Sequence, residues 1–123
     1  MEGIHQMRND TYSIEIEQGS TFELMIKWMS DSRSAINIDN ASARMHIRRT
    51  TNSSETVIAL DSRQTSAISL YGSLGRIDVR IEAADNAVLP SGFYVYDLEI
   101  ELSDGTVHKL LKGKCKVLGE VTR

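Results

Sequence analysis

Apolar and polar residues alternate with period two through most of this chain. Successive side chains of a strand point to opposite faces, so each such run marks a half-buried β-strand. The first is Tyr12-Ser13-Ile14-Glu15-Ile16-Glu17, with Tyr12, Ile14 and Ile16 inward. Gln18-Gly19-Ser20 is a turn signal. Alternation resumes in Phe22-Glu23-Leu24-Met25-Ile26-Lys27-Trp28, which puts Phe22, Leu24, Ile26 and Trp28 on one face. A helix would scatter those four around its circumference, because its period is 3.6. Residues 29–42 are rich in Ser, Asp and Asn and read as a loop with a short edge segment at Ala35-Ile36-Asn37-Ile38. Ala43-Arg44-Met45-His46-Ile47-Arg48 alternates again, with Met45 and Ile47 inward, and residues 50–55 form a polar hairpin turn. Residues 56–60 and 67–70 supply two short strands. Gly72 and Gly75 bracket a turn before Arg76-Ile77-Asp78-Val79-Arg80-Ile81-Glu82, which directs Ile77, Val79 and Ile81 inward.

Residues 83–89 break the pattern. Ala83-Ala84 opens the segment with two strong helix formers and no alternation follows, so one helical turn is predicted there. Pro90 ends it, because the residue before a proline is pushed out of the α region. The longest alternating run then spans residues 93–102. It is apolar on both faces at its start (Phe93, Tyr94, Val95, Tyr96), which predicts a central strand. Asp104-Gly105 is a two-residue turn, and residues 106–117 return antiparallel. About eight strands at short regular spacing predict an all-β sandwich or barrel. The organisation expected is one domain over residues 11–123, behind a flexible polar arm at residues 1–10.

Parity in the final hairpin places Tyr94, Tyr96, Leu98 and Ile100 in the core. It leaves Asp97, Glu99 and Glu101 outward. A carboxylate row of this kind could hold calcium or do acid/base work on a sugar. Lys112, Lys114 and Lys116 on the return strand have the matching parity and opposite sign, so cross-strand charge pairing accounts for both rows.

Composition narrows the function classes. A chain of 123 residues can bury roughly two-thirds of its unfolded surface and needs no metal or disulfide to fold. Its 41% apolar content separates it from disordered tails. The net charge is −3 and basic residues are interspersed with acidic ones, which speaks against a nucleic-acid footprint. The densest basic run, His46-Ile47-Arg48-Arg49, alternates as a strand does. Residues 1–10 contain no apolar core of a secretory signal, and no run approaches the roughly 20 apolar residues of a membrane span. Cys115 is the only cysteine, which suits a reducing compartment.

Candidate chemistry is sparse. His5, His46 and His108 match no zinc-ligand spacing, so no metal or cofactor is expected. A nucleophilic cysteine needs a base and an activating environment. Cys115 instead shares parity with Gly113 and Val117, while Lys114 and Lys116 point away, which suits a core residue. Gly72-Ser73-Leu74-Gly75 lacks the lysine and helix of a phosphate loop, and no Gly-x-Ser-x-Gly elbow occurs. No catalytic residues are predicted and the chain is not expected to be an enzyme. A carbohydrate-binding module is the alternative. It would present a row of exposed aromatic rings, of which Tyr71 is the one expected at the surface.

Several segments in order resemble a family of small structural proteins of tailed bacteriophages. They are Gly19-Ser20-Thr21-Phe22-Glu23-Leu24 ending in Trp28, Ala43-Arg44-Met45-His46-Ile47-Arg48, and Gly75-Arg76-Ile77-Asp78-Val79. Ala83-Ala84-Asp85 leading to Leu89-Pro90-Ser91-Gly92 follows, then Tyr94-Val95-Tyr96-Asp97-Leu98-Glu99 and Asp104-Gly105-Thr106-Val107. The chain closes on Leu110-Leu111-Lys112-Gly113 and Glu120-Val121-Thr122-Arg123. The likeness runs from about Tyr12 to the end and is similar to the N-terminal, baseplate-anchoring domain of phage baseplate upper proteins. Residues 30–42 lack the relatives' Asp-Gly-x-Pro turn, and Cys115 replaces their usual Thr or Val. The resemblance implies an immunoglobulin-like antiparallel β-sandwich. It also implies a non-enzymatic role in the tail, baseplate or neck of a virion assembled in the host cytoplasm. Other virion proteins would be its partners, in several symmetry-related copies, with no nucleic acid, membrane or cofactor.

Overall fold

The computed structural model describes residues 3–5, 10–30 and 32–121. Its strands are β1 (Gly3–His5), β2 (Asp10–Thr11), β3 (Ile14–Glu17), β4 (Phe22–Lys27), β5 (Ser42–Arg48), β6 (Ile58–Asp61), β7 (Ile68–Tyr71), β8 (Arg76–Ile81), β9 (Gly92–Glu101) and β10 (Val107–Leu118). One helical turn, α1 (Ala83–Asn86), joins β8 to β9, and a 3-10 turn spans Gly72–Leu74. The smaller sheet has the order β1-β4-β8-β7. The larger has the order β2-β10-β9-β5-β6, with β3 continuing along β10 beyond β2. The chain thus places β4, β7 and β8 in one sheet and the hairpin β9–β10 with β5 in the other. That is the strand exchange of an immunoglobulin-like sandwich.

The core lies where the alternation predicts. Ile14, Ile16, Leu24, Ile26, Trp28, Met45, Ile47, Ile77, Val79 and Ile81 are buried, as are Tyr94, Tyr96, Leu98 and Ile100. Each large side chain removed from water contributes about 1.5–3 kcal/mol. Both tyrosines keep their hydroxyls satisfied. The Tyr94 hydroxyl donates to the Pro90 carbonyl at 2.6 Å, which ties the start of β9 to the corner that feeds it. The Tyr96 hydroxyl donates to the Tyr12 carbonyl at 2.6 Å. Burial pushes the Tyr96 phenol well above its ordinary value.

Several expectations change. The strand expected at residues 12–17 is split into β2 and β3. Both halves keep one parallel register on β10, Thr11 opposite Lys112 and Ile14 opposite Cys115, and the ladder is interrupted between them. The interruption sits beside Gly113, where a Cβ would stand 2.3 Å from the Tyr12 carbonyl oxygen. The backbone of Tyr12 occupies the space that any side chain would take. The edge segment expected at residues 35–38 reduces to a single bridge between Met29 and Ala35, while Ile38 is anchored in the core. The strand expected from residue 56 begins at Ile58. β9 is central, between β10 and β5, yet Phe93 faces out and is 69% exposed, so its apolar start does not reflect burial on both faces. Within the arm at residues 1–10, Gly3–His5 pairs parallel with Met25–Lys27 of β4, and residues 1, 2 and 6–9 lie outside the described residues.

Candidate functional site

The outward face of the larger sheet carries the charged residues in registered rungs across β5, β9 and β10. Arg44, Glu99 and Lys109 form the first, His46, Asp97 and Lys112 the second, and Arg48, Val95 and Lys114 the third. A groove of about 670 Å³ lies over these rungs. Thr11 and Ser13 wall one side, beside the break between β2 and β3, and Thr51 walls the other, on the turn after β5.

The first rung is electrostatically complete. The Lys109 ammonium donates to Glu99 Oε2 at 2.5 Å and to Asp97 Oδ2 at 3.2 Å. Arg44 pairs with Glu99 from the other side and lies 3.8 Å from Glu101. Burial works to raise the Glu99 carboxyl, but the Lys109 and Arg44 contacts outweigh it and hold the group below the ordinary glutamate value. The hydrogen bond to Glu99 raises the Lys109 ammonium in turn.

This corrects the expected pairing. Lys109, with Arg44 from β5, carries the ion pairs of the acidic row, in place of Lys112, Lys114 and Lys116. A bulge lies between Lys109 and Leu111, so Leu110 is an extra residue and Leu110 and Leu111 are both buried. Two adjacent leucines in an otherwise alternating strand were the sequence signal for it. Lys112 still stands opposite Asp97, but the Asp97 carboxylate turns to Lys109. Lys114 stands opposite Val95, and Lys116 stands opposite Phe93 with its ammonium 5.6 Å from the ring centre.

The third rung has cations on both sides and no acid in the middle. Arg48 Nη1 donates to the Ser53 carbonyl at 2.9 Å, and its Nη2 lies 3.5 Å from His46 Nδ1. Neither Arg48, Lys112 nor Lys114 has a carboxylate within ion-pair distance among the described residues.

The remaining candidates for chemistry are dispersed. Cys115 is fully buried, and burial pushes its thiol up to about 11. His46 is on the outer face, whereas His108 packs its ring against Trp28 with centroids 5.2 Å apart. His5 lies in β1, of which only the backbone is described. Among the described residues no three of His, Cys, Asp and Glu converge as a metal site would require. Tyr94 and Tyr96, which a carbohydrate-binding face would display, are core residues. The exposed rings are Tyr71 on β7, stacked under Arg76 at 4.9 Å, and Phe93 on β9, so they sit on different sheets.

No family model matches the chain, and no curated protein matches it. Among solved structures, it is similar to an endo-beta-1,4-mannanase from Thermotoga petrophila, with 16% identity over 92% of this chain and a TM-score of 0.47. The chain spans 18% of that protein's length, and a likeness of this degree carries no argument about function.

Proposed function

We propose that the chain is a non-enzymatic structural component of a tailed-phage virion, an adaptor in the tail, baseplate or neck that binds other virion proteins. The setting rests on the ordered resemblance of its segments to that family. The binding role rests on one observation: the ladder of charges on the outer sheet face is completed at the Glu99 rung and left open at the Val95 rung. A surface with an unfilled charge position has something to offer a neighbour, whereas Cys115, Tyr94 and Tyr96 are taken up by the core. A sandwich also keeps sheet edges, here β6 and β7, to which a neighbour's strand can be added.

Mass spectrometry of purified particles is the test. The chain is expected among the virion proteins at a fixed stoichiometry to one of them. Recovery only as a free, folded monomer that associates with no particle component contradicts the proposal.

A further inference from the structure

We propose that the Arg48–Val95–Lys114 rung is a docking site for the carboxylate of an acidic, extended segment of a partner protein. The inference deepens the adaptor reading and rests on it for the nature of the partner. The first rung shows what this sheet does with one cation on β5 and one on β10: a central carboxylate, Glu99, takes both. The third rung repeats the two flanking cations at the same strand positions, but its centre is Val95. Neighbouring strands lie about 4.8 Å apart, so Arg48 and Lys114 flank the centre at a separation one carboxylate can bridge.

The surroundings select the class of anion. Asp97, Glu99 and Glu101 continue down the same strand. Their charge opposes a polyanion with closely spaced phosphates, on a chain whose net charge is already −3. A peptide with an acid at every second residue carries a sparser charge than a duplex and meets less of this repulsion. Its acids recur at about 7 Å, the spacing of Lys112 and Lys114 along β10, and its intervening side chains can point away. Val95 offers a half-buried apolar floor, and Thr11, Ser13 and Thr51 supply hydroxyls at the walls.

The probe is a capped Glu-Val-Glu-Val-Glu peptide, titrated into the full chain and followed by backbone amide shifts. Its Gln-Val-Gln-Val-Gln counterpart, inorganic phosphate and a thymidine oligonucleotide are run beside it. Saturable shifts centred on Val95, Arg48 and Lys114 are expected with the glutamate peptide. The double variant Arg48→Gln/Lys114→Gln should weaken binding by about tenfold or more. Val95→Glu should supply the missing carboxylate from within, keep the fold and abolish binding. Equal binding of the glutamine peptide, or binding that survives either variant, overturns the proposal. Tighter binding of phosphate or oligonucleotide than of the peptide overturns the carboxylate assignment. Particles that contain the chain while the peptide fails to bind defeat this site alone; peptide binding by a chain absent from particles defeats the virion reading alone.

Discussion

Asn86 is fully buried at the end of α1, and its side chain works in both directions. Its Oδ1 accepts from the Gly19 N–H at 2.7 Å, and its Nδ2 donates to the Ser20 carbonyl at 2.5 Å. Next to it, Gln18 Nε2 donates to the Leu89 carbonyl at 2.7 Å, and Gln18 Oε1 accepts from the Glu120 N–H at 3.0 Å. Two side chains therefore bind the β3–β4 turn, the β8–β9 crossover and the end of β10 together. Replacing Asn86 by Ala leaves a donor and an acceptor without a partner, at a cost of about 1–3 kcal/mol. Urea unfolding should show this as a lower midpoint with an unchanged slope, and an unchanged midpoint would remove Asn86 from this role. Cys115 gives a second check at this scale. Only the thiolate reacts, and a buried thiol pushed up to about 11 is protonated at pH 8. Ellman's reagent should label it in urea and leave the native protein unlabelled. Rapid labelling of the native protein would place Cys115 outside the core.

At the scale of elements, Gly113 decides how the first strand meets the last. The Tyr12 backbone lies where a Cβ on Gly113 would project. Gly113→Ala should therefore push β2 and β3 away from β10 and destabilise the fold by about 1–3 kcal/mol, the usual cost of overpacking. Hydrogen exchange is the sharper readout: the Tyr12 amide, which donates to the Lys112 carbonyl at 2.9 Å, should lose protection before the amides of β9 do. Uniform loss of protection would contradict a local role. The strands themselves were legible because alternation is a local signal, clearest in β4, β5, β8 and β9, whose inward residues all lie where parity puts them. The break at Tyr12 was not, because it depends on Gly113, distant in sequence. The Asn86 bonds escaped for the same reason, since they span 66 and 67 residues. The site was half legible. Parity set the acidic row outward and expected Lys112, Lys114 and Lys116 to pair with it, but the bulge at Leu110 moved the ion pairs to Lys109. The third rung needed the β5–β9 register, which no local pattern in the sequence supplies.

For the whole molecule, the two sheets enclose one core and the charges lie outside it in cross-strand sets. Stability should follow those charges in acid. Glu99 has a folded value below its ordinary one, so its contribution is complete above the unfolded value, near 4.5, and is lost as pH falls through the folded value. Thermal midpoints should therefore fall below about pH 4.5, and Glu99→Gln should flatten that decline. An equally steep decline in the variant would assign acid sensitivity to other carboxylates. The same face supports the functional account: satisfied at one end, it offers two cations around Val95 at the other. Zero-length carbodiimide cross-linking of intact particles, read by mass spectrometry, tests that account most directly, because it joins lysines only to carboxylates already in contact. The account predicts bonds from Lys114, and from Lys112 beside it, to Asp or Glu of another virion protein. Particles that contain no copy of this chain, or copies whose Lys112 and Lys114 form no such bond, would contradict it.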